Sequence, residues 1–153
     1  MKRFSFLVFI AAFSFSCNTI DVYEKTMPLP LHEWSSKNVL PFTFIAKDSL
    51  AYYNVYLVLR HNESYHFNNI WIDFSATFPG KKLQAKRLNL TLVNTKGWLG
   101  TAMDDIIEQR ILLFSKPTRL AAGTYTFSVR QVMREDPLEN ILNAGIRVEK
   151  VVQ

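Results

Sequence analysis

Hydrophobic side chains recur at every second position over most of this chain. In "NIWIDFSATF", residues 69–78, the apolar residues Ile70, Ile72 and Phe74 alternate with Trp71, Asp73 and Ser75. Successive side chains of a strand point to opposite faces, so this pattern predicts a strand with one face in a core. The segments "LPFTFIA" and "YYNVYLVLRH" repeat it. The chain is therefore predicted to be all-β.

Turn signals separate these strands at short intervals. Pro79 and Gly80 end "NIWIDFSATF", and "LQAKRLNLTLV" is its expected hairpin partner. Further strands are predicted in "QRILLFSKPTRL", "GTYTFSVRQVM" and "AGIRVEKV", the last with Ile146 and Val148 facing inward. We expect "GWLGTAMDDIIEQ" to be a loop with at most one helical turn. Seven or eight short strands with such turns predict an antiparallel β-sandwich with little helix.

The first residues depart from this alternation. Lys2 and Arg3 precede an apolar stretch from Phe4 to Phe15. Its length of about 12 residues is too short for a membrane-spanning helix, which needs about 20, and is typical of a signal peptide. A buried N-terminal element is the alternative, but no partner segment of similar character follows. We expect residues 1–16 to be a lipoprotein signal peptide.

Cys17 is the only cysteine, so it cannot form an internal disulfide. A small residue, Ser16, followed by cysteine at the end of an apolar run resembles the bacterial lipobox, although Ser14 and Phe15 depart from the common pattern. We predict that Cys17 carries acyl chains, palmitate among them, because stable membrane anchoring needs more than one chain. Residues 17–38 are expected to be the lipidated N-terminus and an extended tether, and residues 39–153 the sandwich domain.

Charge and motif content exclude several functions. The formal net charge of +5 includes Lys2 and Arg3, and no dense run of Lys and Arg indicates nucleic-acid binding. His61, Glu63 and His66 could be imagined as a metal or hydrolase site. Their spacing matches no common zinc pattern, and histidines five residues apart on a strand point to opposite faces. We predict no metal, no cofactor and no catalytic residues.

Two loop segments are candidates for partner binding, since loops carry function on a rigid sandwich. One is the charged turn Arg134, Glu135, Asp136 before Pro137, after which Leu138 and Ile141 are expected to pack on the sheet. The other is Trp98 between Gly97 and Gly100. The alternatives are that Trp98 closes an open end of the sandwich and that the charged turn is a local ion-pair network.

Four segments carry a family resemblance: "ATFPGKKLQ", "KGWLG", "GTYTFSVRQ" and "QVMREDPLENILNAGIRVEK". In this order they resemble the GldH family of gliding motility lipoproteins from Bacteroidetes, over roughly Val22 to Lys150. The resemblance implies a non-enzymatic accessory of the gliding and type IX secretion machinery that is anchored to the membrane and contacts its protein components. The segment after Cys17 lacks the acidic cluster of surface-exported lipoproteins, which favours an outer-membrane protein facing the periplasm.

A glycan-binding module is the alternative function. The aromatic residues that could stack on sugar rings are Trp34, Trp71, Trp98, Tyr52 and Tyr56. Three coplanar, exposed rings on one face would support this function. The commoner role of such residues is in cross-strand pairs or at the edge of a core.

Overall fold

The computed structural model describes residues 22–82 and 85–151, which form two antiparallel sheets around a shared hydrophobic core. The predicted signal peptide and Cys17 lie outside the described residues. No helix in the described part of the chain has the length and apolar character needed to span a membrane.

The described chain contains fifteen strand segments and one 3₁₀ turn, Pro30–His32. The strands are β1 (Val22–Pro28), β2 (Glu33–Trp34), β3 (Leu40–Ala46), β4 (Tyr52–Asn62), β5 (Asn69–Phe78), β6 (Lys81–Lys82), β7 (Lys86–Thr91), β8 (Val93–Asn94), β9 (Gly97–Trp98), β10 (Thr101–Met103), β11 (Ile106–Leu112), β12 (Thr118–Arg119), β13 (Gly123–Gln131), β14 (Leu138–Glu139) and β15 (Ile141–Lys150). Eight of these have six residues or more, which confirms the predicted all-β architecture of seven or eight strands.

The first sheet has the strand order β1-β15-β4-β11-β10, and β12 pairs with the part of β4 that β11 leaves free. The second sheet has the order β3-β13-β5-β6, with β7 also pairing with β5. Two short ribbons, β2 with β14 and β8 with β9, complete the fold. The hairpin of β5 with β7 confirms the predicted partner of "NIWIDFSATF".

The alternating residues face the core as the sequence predicts. Phe42 and Phe44 of β3, Val55 and Leu57 of β4, and Phe74 of β5 are all buried. Ile146 and Val148 of β15 face inward, and Leu138 and Ile141 are also fully buried. Burial of side chains of this size contributes about 1.5–3 kcal/mol each, and this drives the two sheets together.

Charged residues cover part of the outer face of the first sheet. Arg60 of β4 pairs with Glu108 of β11, which also pairs with Arg110. Arg147 of β15 pairs with Glu24 of β1. These ion pairs connect side chains of four neighbouring strands, β1, β15, β4 and β11, so this part of the outer face is polar.

Two local expectations are corrected. Residues 22–38 are not a free tether, because β1 pairs with β15 along its whole length and Trp34 is buried. The segment after Gly97 is not a loop, because β10 and β11 form a hairpin in which Met103 lies opposite Ile106. Asp104, with a φ of 53°, makes the tight turn between them, a conformation that Asp adopts more readily than most residues.

Candidate functional site

The strands run between two ends that carry different loops. Val22 lies opposite Glu149 and Pro28 opposite Asn143, so β1 enters the fold at one end and leaves at the other. We call the end where β1 enters the tether end; it carries residues 47–51, 79–80 and 115–122. The opposite end, the loop end, carries residues 30–39, 62–69, 92–105 and 132–140. Both candidate segments, Trp98 and the charged turn, lie at the loop end.

Asp136 of the charged turn fastens a neighbouring loop. Its Oδ1 accepts a hydrogen bond from the Ser36 backbone N–H at 2.7 Å, and its Oδ2 accepts one from the Ser36 hydroxyl at 2.5 Å. These bonds, the hydroxyl first, lower the pKa of the Asp136 carboxyl. Buried Gln131 adds a second link by donating to the Trp34 carbonyl at 3.0 Å. Asp136 therefore has a structural role within the turn.

Glu135 also bonds within the turn, whereas Arg134 does not. Glu135 Oε1 accepts a hydrogen bond from the Glu139 backbone N–H at 3.0 Å, which closes the turn. Arg134 is exposed and forms no ion pair or hydrogen bond within residues 22–82 and 85–151. Of the three predicted partner-binding residues in the turn, Arg134 is the one whose charge is available to a partner.

An open groove of about 510 Å³ begins at Arg134. Phe67, Trp71 and Met133 supply its apolar wall, and Arg87 lies on its far side. The Trp71 side chain is 40% exposed, an unusual state for so large an aromatic group. The backbone N–H of Trp71 points to Met133 Sδ at 3.2 Å, which fixes the segment after β13 against β5.

The charge of Arg87 is already compensated. Its guanidinium contacts both carboxylate oxygens of Asp73, at 2.8 and 3.1 Å, and Arg130 contacts the same carboxylate at 2.7 Å. These bonds, Arg87 first, lower the pKa of Asp73 to about 2 despite its partial burial. Among the described cations that line the groove, Arg134 is the uncompensated one.

His61, one of the residues of the hydrolase alternative, is a core residue. It is fully buried, and its Nδ1 lies 2.9 Å from the Asn62 carbonyl while its Nε2 lies 3.0 Å from Gln109 Nε2. A carbonyl only accepts, so the ring is neutral with the proton on Nδ1, and Nε2 accepts from Gln109. Burial lowers the pKa of His61. His66 is exposed, but it lies in the loop between β4 and β5, so the strand geometry expected for the two histidines does not apply.

Trp98 packs on this histidine. The ring centroids of Trp98 and His61 are 4.5 Å apart in an edge-on arrangement, and Tyr65 lies 6.3 Å from Trp98. The Trp98 side chain is partly buried against the core. The geometry matches the alternative in which Trp98 closes an end of the sandwich, and it leaves less of the ring for a partner.

The five aromatic residues of the glycan alternative do not form one platform. Trp34 is fully buried, and its indole N–H donates to the Asn38 carbonyl. Tyr52 belongs to the first sheet and Trp71 to the second, and both point away from the shared core. Their rings therefore lie on opposite outer faces, and no observation favours a sugar-stacking surface among them.

The groove and the contacts of the turn were not predicted from the sequence. Ser36 lies 100 positions from Asp136, and Met133 lies 62 positions from Trp71. Only the pairing of β13 with β5 and of β14 with β2 brings them together. The available signal was the isolated charged turn itself, which lies beside the groove.

The fold and this site define an antiparallel β-sandwich with both candidate segments, Trp98 and the charged turn, at one end. The chain belongs to the GldH lipoprotein family, which it matches over residues 21–148. It is 28% identical to the gliding motility lipoprotein GldH homolog of Christiangramia forsetii, over 97% of this chain and 98% of the relative. It is 27% identical to the gliding motility lipoprotein GldH of Flavobacterium johnsoniae, over 98% of each chain. No solved structure gives a significant match.

Proposed function

We propose that this protein is a membrane-anchored, non-enzymatic accessory of the bacterial gliding machinery and its associated type IX secretion system. Membership of the GldH lipoprotein family supports the role in gliding, because relatives aligned over nearly their whole length carry that name. The link to secretion and the accessory role rest on the family resemblance of the sequence. Contacts with protein components of the machinery, rather than catalysis, are its mode of action.

The observation that carries the proposal is Arg134, which pairs with no described residue, beside the groove of Phe67, Trp71 and Met133. Exposed aromatic groups, Met and Arg are enriched where proteins bind one another, and Arg and Trp dominate the energy of such contacts. The groove is open and lies on the outer face of the second sheet, where a partner can reach it. We infer that this surface receives an acidic or carboxylate-bearing segment of a partner.

The position of the lipid supports the same surface. Only four residues lie between Cys17 and Val22, and the five steps that join them span at most about 18 Å even when fully extended. Acyl chains on Cys17 would therefore hold the tether end towards the bilayer and leave the loop end facing away from it. Because residues 18–23 contain a single acidic residue, Asp21, we propose an outer-membrane location with the domain in the periplasm.

Charge reversal at each end of the molecule tests the proposal. Arg134→Glu should reduce spreading motility and the display of secreted adhesins, because the exposed cation that attracts the partner becomes an anion. Lys47→Glu is the matched control, since Lys47 is exposed at the tether end and makes no ion pair among the described residues. Cells should be compared at equal protein levels, with the unfolding midpoint of each purified variant measured.

The two variants separate docking from folding. Loss of motility in Arg134→Glu with an unchanged unfolding midpoint, and normal motility in Lys47→Glu, supports a contact surface at the loop end. Normal motility and adhesin display in Arg134→Glu would contradict that surface. If strains lacking the protein altogether also glide and display adhesins normally, the accessory role itself is wrong.

A further inference from the structure

Three side chains that can bind metal ions converge at the loop end, although the sequence predicts no metal site. They are His66 from the loop before β5, Glu135 from the charged turn and Glu139 from β14. One ligand atom of each lies within 4.8 Å of the others. His66 Nδ1 and Glu135 Oε2 are 3.7 Å apart.

This separation suits a shared ion better than a direct contact. A hydrogen bond between nitrogen and oxygen is normally about 2.7–3.2 Å long, so 3.7 Å is too far. Two ligands bound tetrahedrally to Zn²⁺ at about 2.1 Å each are about 3.4 Å apart. Small side-chain adjustments would therefore place the imidazole and the carboxylate around one ion.

The backbone positions of the three residues are fixed by other contacts. Asn62 Oδ1 accepts from the Ser64 backbone N–H at 3.0 Å, and Asn140 donates to the Ser64 carbonyl at 3.1 Å. These bonds hold the loop that carries His66 against the segment that follows Glu139. Glu135 Oε1 is held by the Glu139 backbone N–H, which leaves Oε2 directed towards His66. The Glu135 carboxylate thus has one of the outer contacts that orient metal ligands.

The local charge also favours a cation. Glu139 lies directly opposite Glu33 in the ribbon of β2 with β14, and like charges at such a position are destabilising. Neither glutamate has an ion-pair partner within the described residues, and Glu135 adds a third carboxylate. Binding of a divalent cation here would offset this repulsion.

We propose that His66, Glu135 and Glu139 bind one divalent transition-metal ion, of which Zn²⁺ is the best-suited representative. An imidazole with two carboxylates suits Zn²⁺, whereas Ca²⁺ and Mg²⁺ prefer sites made of oxygen alone. Three protein ligands leave a fourth position for water or for a side chain of a partner. The ion would join the 62–69 loop to the charged turn, next to the groove.

Calorimetric titration of the purified mature lipoprotein in detergent with ZnCl₂ tests this site. The wild type should bind one equivalent, more tightly than it binds Ca²⁺ or Mg²⁺. Loss of an outer-sphere contact weakens metal affinity about 10- to 100-fold, so His66→Ala and Glu139→Gln should each weaken Zn²⁺ binding at least tenfold. Glu63→Gln is the matched control, because Glu63 is exposed in the same loop but is not part of the cluster.

Cobalt provides a second readout that does not depend on affinity alone. Co²⁺ at this site should give visible absorption bands of a four- or five-coordinate ion, and His66→Ala should abolish them. Absence of saturable Zn²⁺ binding in the wild type would overturn the proposal, as would binding that persists unchanged in His66→Ala. The result bears on the metal site alone, since the partner surface at Arg134 is tested separately by motility.

Discussion

The buried histidine shows how one residue can make stability depend on pH. His61 is neutral in the folded protein because its Nδ1–H donates to the Asn62 carbonyl and its Nε2 accepts from Gln109. Burial lowers its pKa below the usual 6.5, whereas the unfolded chain titrates near the ordinary value. The unfolded state therefore binds more protons at acidic pH, and stability rises with pH in this range.

Replacement of His61 by Gln tests this account. The wild type should lose stability as the pH falls from about 7 to about 5, and His61→Gln should lose much less, because Gln cannot be protonated. At neutral pH the variant should be destabilised by about 1–3 kcal/mol, the usual cost of disturbing a buried hydrogen bond. Urea unfolding at a series of pH values measures both effects.

A second histidine variant serves as the control. His32→Asn changes an exposed histidine in a left-handed conformation, φ 58°, which Asn adopts readily. It should keep the pH dependence of the wild type. An equally steep loss of stability in His61→Gln between neutral and acidic pH would show that another group is responsible.

Residue-level function is the part that the sequence predicts least. The expected opposite faces of His61 and His66 assumed that both lie on one strand, whereas His66 lies in the loop before β5. The approach of His66 to Glu135 was not predictable either, because the two are 69 positions apart and are brought together by the pairing of β15 with β4, in which Ile141 lies opposite His61. Alternation reports which face a side chain occupies, but it carries no information about which strands become neighbours.

At the scale of elements, β1 illustrates the same limit. The alternation in β3, β4 and β5 is strong because one face of each is buried and largely apolar, so these strands were predictable. The segment "VYEKTMP" has a weak pattern with few buried positions, as expected of an edge strand. Its pairing with β15 depends on a close approach at Gly145, which a pattern of apolar and polar residues does not reveal.

Gly145 allows the close approach of β1 to β15. A Cβ at this position would lie 2.7 Å from Thr26 Cα and would also strike the Lys25 carbonyl. Gly145→Val should therefore push β1 away and destabilise the protein by about 1–3 kcal/mol, as overpacking generally does. Amide hydrogen exchange should become faster in β1, at Lys25 and Thr26 in particular, while the centres of β13 and β5 stay protected.

Gly80→Ala is the control for this prediction. Gly80 has a φ of 71°, and no heavy atom lies within 4 Å of the point that a Cβ would occupy there. Alanine at this position therefore meets only the left-handed backbone penalty of about 1–2 kcal/mol. Exchange in β1 should remain that of the wild type. Unchanged protection of β1 in Gly145→Val would show that the strand does not depend on this close contact.

At the scale of the whole molecule, the antiparallel register of β1 with β15 determines the direction of the sandwich. Ten residues of β15 at about 3.3 Å each extend about 33 Å from the loop end to the tether end. A lipid on Cys17 would limit the distance of Arg134 and the groove from the bilayer surface to about 50 Å, because the segment before Val22 adds at most about 18 Å to this length. The proposed function therefore requires a partner that comes within this distance of the membrane.

Two changes in the N-terminal segment test whether gliding requires membrane anchoring of this protein. Cys17→Ala should move the protein from the membrane to the soluble periplasmic fraction without changing its unfolding midpoint, because the described residues from β1 onward form a hydrophobic core of their own. Gliding should be lost, since the loop end is no longer held at a membrane.

Replacement of residues 1–17 by the signal peptide and cysteine of an unrelated lipoprotein should restore both membrane fractionation and gliding. If the released Cys17→Ala protein supports full gliding, anchoring is dispensable; if it still fractionates with membranes, the anchor lies elsewhere in the chain.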